Sequence, residues 1–70
     1  MAQSVKITTP YITLGQLLKL VNLIDNGGAA KAFLAEHEVR VNGEQDQRRG
    51  RKLYPGDVVE TLGKAYAIGA

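Results

Sequence analysis

The stretch VRVNGEQDQRRGRKLYPGD, residues 39–57, decides how this chain is read. Val39 and Val41 alternate with Arg40, the period of a half-buried strand, and Asn42-Gly43 supplies the two positive φ angles that a two-residue type I′ hairpin turn needs. The return side, Glu44-Gln45-Asp46-Gln47, has no apolar alternation, so the spacing predicts a short polar return that soon leaves regular pairing. Arg48-Arg49-Gly50-Arg51-Lys52 then puts four cationic side chains into five residues. On one unbroken strand Arg49 and Arg51 would share the core-facing side of Leu53, at a desolvation cost that a small core does not offset. Gly50 is therefore expected to mark a bulge or loop that lets all four cations reach water. Tyr54-Pro55-Gly56-Asp57 reads as a turn, with Pro and Gly suited to its two central positions.

Toward the amino terminus, Thr13-Leu14-Gly15-Gln16 fits a capping box, with Ile12 and Leu17 as its hydrophobic staple, so a helix is expected from about Leu14. Leu14, Leu17, Leu18, Val21 and Ile24 recur at helical spacing and form the expected buried stripe, with Lys19 and Asn22 outside. Asp25-Asn26-Gly27-Gly28 is expected to end that helix and to cap a second one from about Gly27 to Glu36, with Ala30, Phe33 and Leu34 facing inward. Gly28, Ala29 and Ala32 are small enough for close helix approach at a sharp angle. Toward the carboxyl terminus, Val58 to Leu62 reads as a strand, Gly63-Lys64 as a turn and Ala65 to Ile68 as a last strand. Val5 to Thr8 reads as an edge strand before Pro10.

Length and composition exclude several function classes. Seventy residues make one domain, residues 1–70, with a modest core expected to span about 7–62; a chain this short buries only about 60% of the surface exposed on unfolding. There is no cysteine and His37 is the only imidazole, so neither a disulfide nor a metal cage is expected. No acid/base pair, nucleophile or cofactor motif is discernible, and the expectation is a protein without catalytic residues, metal or cofactor. No segment reads as a signal peptide or membrane span, and the expected location is the cytoplasm.

Charge distribution points to a partner. The net charge is only +2, yet five of the nine Lys and Arg residues (Arg40, Arg48, Arg49, Arg51 and Lys52) fall between positions 40 and 52, opposed there by Glu44 and Asp46. Such a local cationic field suits a polyanion. Arginine forms forked, charge-assisted bonds to phosphate oxygens, and three arginines within four residues, joined by Lys52, can follow successive phosphates. Arg40, opposite in face to Val39 and Val41, extends the expected patch. Gly27 and Gly28 offer bare backbone N–H groups at a helix start, an arrangement that binds anions, with Lys31 nearby; a tight interhelical turn is the competing explanation. Five cations on five phosphates would give a log affinity–log salt slope of roughly −3.5 for single strands and about −4.5 for a duplex. Specificity would then come from nucleic-acid shape or stacked bases, and Tyr54 is the aromatic residue nearest the patch, where packing across the turn competes with stacking.

Two short helices, a Val-x-Val-Asn-Gly turn, a basic segment and a Pro-Gly-Asp-Val-Val strand follow one another in this order. The chain thereby resembles the RNA-binding domain named after ribosomal protein S4, the αL fold. The likeness to its small stand-alone bacterial members is carried by Tyr11-Ile12-Thr13-Leu14-Gly15-Gln16, His37-Glu38-Val39, Val41-Asn42-Gly43-Glu44 and Arg48 through Val59, and spans roughly Ile7 to Glu60. The resemblance implies an α+β fold, with two short N-terminal helices packed on a small, mostly antiparallel sheet of 4–5 short strands. It also implies a surface at the start of the second helix and around the hairpin that grips structured RNA, ribosomal or transfer RNA, mainly by its backbone. On that surface Asn26 keeps a capping role, Gly27 stands where the family often has arginine, and Lys31 follows one turn later. A monomer that meets ribosomal particles is the corresponding expectation. Two other readings stay open. One is a β-grasp sulfur carrier, which the terminal Ile68-Gly69-Ala70 and the paired helices fit poorly; the other is an adaptor whose basic loop meets an acidic protein.

Overall fold

In chain order the elements are β1 (Ala2–Lys6), β2 (Ile12–Thr13), α1 (Leu14–Leu20), a 3-10 turn (Gly27–Ala29) running into α2 (Ala30–Glu36), β3 (Val39–Val41), β4 (Glu44–Gln45), β5 (Lys52–Leu53), β6 (Val58–Thr61) and β7 (Lys64–Gly69). They come from a computed structural model that describes residues 2–70. Five strands form one sheet in the order β1-β7-β6-β3-β4, antiparallel except for the β1–β7 pair, while β2 and β5 pair separately. This is the α+β arrangement of two helices on a mostly antiparallel sheet that the resemblance implies. No helix among the described residues is long and apolar enough to cross a membrane.

The hairpin forms where its turn chemistry requires. Asn42 and Gly43 take φ angles of +54° and +85°, and Val39 and Val41 are fully buried while Arg40 between them is exposed. Leu14, Leu17 and Leu18 of α1 meet Ala30, Phe33 and Leu34 of α2 over Val39, Val41 and Val59 of the sheet. Each of these buried Leu, Val and Phe side chains contributes about 1.5–3 kcal/mol by leaving water. Val5, Tyr66 and Ile68 are also buried in this core. The cause is the parallel pairing of β1 with β7, a long-range contact.

Helix ends differ from expectation for identifiable reasons. The first helix starts at Leu14 with both capping-box bonds in place: Gln16 N–H donates to Thr13 Oγ1 at 3.2 Å and Thr13 N–H to Gln16 Oε1 at 2.8 Å. It stops at Leu20, before Asp25-Asn26, because Asn22 adopts φ +62°. The N–H groups of Leu23 and Asn22 then donate to the Leu18 and Lys19 carbonyls, the paired bonds of a Schellman C-cap. Close helix approach is made by Gly15 and Ala30, whose Cβ would lie 3.5 Å from one added at Gly15; Ala32 is exposed.

The last hairpin turns one residue earlier than the sequence suggests. Leu62 and Gly63 occupy the turn with φ +53° and +74°, so Leu62 leaves the strand and is 51% exposed. A branched side chain in the left-handed region is disfavoured locally. Here the pairing of Thr61 with Lys64, continued by Glu60 with Ala65, imposes it.

Candidate nucleic-acid interface

The basic segment is tied down by its backbone. Leu14 N–H donates to the Arg51 carbonyl at 2.8 Å and Gly15 N–H to the Arg49 carbonyl at 2.9 Å. With Gln16 N–H on Thr13, the first three N–H groups of α1, which a helix start leaves without intrahelical partners, are all satisfied. Pairing of Ile12 with Leu53 and Thr13 with Lys52 fixes the far end of the segment. Arg51 N–H closes a turn on the Arg48 carbonyl at 3.1 Å, with Gly50 at its outer corner.

Asp46 organises the cations from below. Its side chain is 6% exposed and accepts from Arg48 Nη2 and Arg51 Nη1, both at 2.8 Å, from Arg48 Nε at 3.1 Å and from the Arg48 backbone N–H at 2.9 Å. The Arg48 guanidinium bond, followed by the Arg48 backbone and Arg51 bonds, holds the carboxyl well below the usual carboxylate range against the opposing effect of desolvation. Correspondingly, the carboxylate raises the Arg48 pKa. The expectation that all four cations reach water needs correction at Arg51, whose side chain is 30% exposed. Gly50 does open the strand, but Arg51 turns back to Asp46 instead of outward. Arg48, still 72% exposed, keeps a face toward solvent.

Arg49 and Lys52 are exposed, and neither makes an ion pair or side-chain hydrogen bond among the described residues. Arg49 and Gly50 form one wall of an open cleft of about 380 Å³, with Gln16 and Lys19 of α1 and Gly27 before α2 on the others. Asn26 caps that turn, accepting from Ala29 N–H at 3.1 Å. Gly28 and Lys31 are exposed but do not line this cleft.

Arg40 lies elsewhere. It bonds Glu38 at 3.2 Å and sits opposite Glu60 in the β3–β6 register, in a groove that Glu36 and His37 also line. The His37 ring packs against Phe33, with centroids 4.7 Å apart.

A second lock joins the hairpin to the turn after the basic segment. Asn42 Nδ2 donates to Asp57 Oδ1 at 3.1 Å, Val58 N–H donates to Asn42 Oδ1 at 2.9 Å, and Tyr54 N–H donates to Asp57 Oδ2 at 2.8 Å. The two short motifs at 41–43 and 56–58 are thus one structural unit with the basic loop between them. In the sequence Asp46 stands out only as a charge opposing the patch, Lys19 only as an outward helix residue, and Tyr11 only as part of a motif. Tyr11 in fact lies beside Tyr54, with ring centroids 5.6 Å apart, and Lys52 Nζ stands 5.0 Å from the Tyr11 ring centre. The pairing of Ile12 with Leu53, which carries Tyr11 to Tyr54, has no local sequence signature.

Comparison with known proteins gives a consistent picture. The family described as S4 domain matches residues 5–69. A Bacillus subtilis (strain 168) protein named "Probable ribosome maturation protein RlbA" is 64% identical over 63 residues, covering 90% of this chain and 89% of that one. An Escherichia coli (strain K12) protein named "Putative RNA-binding protein YbcJ" is 33% identical over 59 residues, 84% of each chain.

Proposed function

The chain belongs to the S4 domain family, and from that premise we propose that it is a non-catalytic RNA-binding protein that grips the backbone of structured RNA, ribosomal RNA first. Arg48, Arg49 and Lys52 are the outward contacts, Arg51 supports them from beside Asp46, and Lys19 and Gly27 complete the cleft under Arg49. Lys31, Asn26 and Gly28 belong to the wider surface of the same reading, and Arg40, in its own groove beside Glu38, is a separate and weaker contact. The names of the two relatives, one for ribosome maturation and one for RNA binding, support a partner in or on the ribosomal particle and hence a cytoplasmic site of action.

One observation carries the reading. A short loop with four cations and one shielded carboxylate is bonded through its own carbonyls to a helix start, so its charge is presented in a fixed place. Preorganisation of this kind lowers the ordering cost of binding. Asp46 and Glu38 offset two of the five cations, so about three phosphates are expected to be neutralised, with a log–log salt slope of about −2 to −3.

The test measures binding of the full chain to ribosomal RNA fragments over a salt series, against a variant carrying Arg49→Glu and Lys52→Glu. These two side chains make no bonds to Asp46, whereas reversing Arg48 and Arg51 as well would set carboxylates against it and confound charge with folding. The expected result is a loss of at least tenfold and a shallower salt slope in a variant that melts like the parent. Undiminished RNA affinity in the folded variant would refute the proposal.

A further inference from the structure

We propose that Tyr11 and Tyr54, with Lys52, form a stacking platform for an unpaired RNA base, so that the preferred ligand is a duplex backbone interrupted by at least one unstacked nucleotide. This rests on the RNA-binding reading above and specifies which RNA that surface takes.

The platform is built by the β2–β5 pair. Ile12 opposite Leu53 in antiparallel register brings Tyr11 beside Tyr54, and Thr13 opposite Lys52 brings the ammonium to the same place. The rings lie 5.6 Å apart at 47°, and Lys52 Nζ is 5.0 Å from the Tyr11 ring centre. Tyr11 is 38% and Tyr54 48% exposed, while the third tyrosine, Tyr66, is buried at 3% in the core. Neither exposed phenol hydroxyl makes a hydrogen bond to another described residue, so no polar tether explains why the rings stand at the surface.

An open groove of about 630 Å³ continues from Tyr11, lined by Pro10, Ile12 and Leu20 together with Lys6 and Gln16. Leu20 is 55% exposed there. Apolar and aromatic lining with Lys6 in the groove, and Lys52 at the Tyr11 ring that borders it, suits a nucleotide, whose flat base is joined to charged phosphates. Continuity with the proposed phosphate grip comes through Lys52, which belongs to both. The Gln16 carbonyl is occupied by Thr13 N–H, leaving its amide N–H groups as donors for a base edge or phosphate. A continuous A-form helix buries its base faces in the stack and hides base edges in a narrow major groove, so only an unpaired base presents a face to these rings.

The experiment compares affinities of the full chain for a blunt RNA duplex and for the same duplex with a short unpaired bulge, using the parent, Tyr54→Ala, Tyr54→Phe, Tyr11→Ala and Arg49→Glu. The parent is expected to favour the bulged RNA about tenfold or more. Tyr54→Ala and Tyr11→Ala bring that ratio toward one, and Tyr54→Phe, which keeps the ring, preserves it. NMR ring-proton shifts of Tyr11 and Tyr54, with those of Tyr66 static, are expected on adding the bulged RNA alone. A parent ratio near one, or a ratio unmoved by Tyr54→Ala in a chain with parental melting, overturns the platform; if Arg49→Glu still weakens both RNAs, the backbone-gripping reading survives that failure. Should neither RNA bind the parent, both readings fall together. Ring shifts with an acidic peptide and none with RNA would assign the patch to a protein partner and overturn the inference.

Discussion

Gly15 N–H donates to the Arg49 carbonyl at 2.9 Å, so the first turn of α1 directly carries the basic loop at Arg49. An added Cβ at Gly15 would meet that carbonyl at 3.4 Å and Arg49 Cβ at 3.6 Å, an ordinary contact for one methyl group. Gly15→Ala is therefore expected to fold normally, with stability unchanged or raised by up to about 1 kcal/mol through helix propensity. Gly15→Val adds methyl groups where the loop already touches and is expected to lift Arg49, lowering both melting temperature and RNA affinity. Thermal melts and binding titrations of the two variants check this; equal behaviour would deny the loop its support on α1.

Removing the buried carboxylate leaves Arg51, and part of Arg48, without its partner. Asp46→Ala is expected to destabilise the fold by about 1–3 kcal/mol, the cost of leaving a shielded polar group unpaired, and denaturant unfolding measures it. RNA affinity is expected to fall as well, although net positive charge rises, because the loop loses its fixed geometry.

The same carboxylate gives a pH dependence with a definite sign. Its folded-state pKa is depressed by the Arg48 and Arg51 bonds, so its stabilisation is complete above the unfolded carboxylate value of about 4 and is lost as pH falls below it toward the folded value. The parent should lose stability in acid more steeply than Asp46→Asn, as followed by circular dichroism across that range. Parallel acid profiles would mean that the ion pairs contribute nothing in solution.

Asn42 serves two purposes that substitution separates. Asn42→Gly keeps the φ of +54° accessible but deletes the side-chain bonds with Asp57 and with the Val58 N–H, whereas Asn42→Ala loses those bonds and the ready access to that φ. Both are expected to destabilise, Asn42→Ala by about 1 kcal/mol more than Asn42→Gly. Melting of both variants, with Asp57→Ala for comparison, apportions the effect.

Much of this protein was legible locally. The capping box at Thr13 and Gln16, the positive-φ turn at Asn42-Gly43, and the inward triad Ala30, Phe33 and Leu34 all involve neighbours within a few residues, whose stereochemistry is written in residue type. The same local logic opened the strand at Gly50. It failed at Leu62, where strand register outweighed the cost of a branched side chain at positive φ.

The sequence alone determined that a cationic segment exists and that it cannot lie flat on a core strand, because charge count and side-chain parity follow from residue order. Only the tertiary structure decided which charges remain outward. Asp46, five residues from Arg51, draws that side chain back, while Arg40 bonds Glu38 two residues before it and sits opposite Glu60 of β6. It also decided that Tyr11 meets Tyr54, 43 positions further along the chain, through the β2–β5 pair. Such placements depend on Coulomb and hydrogen-bond interactions that fall off over a few ångströms, and distances that short are set by how the elements pack.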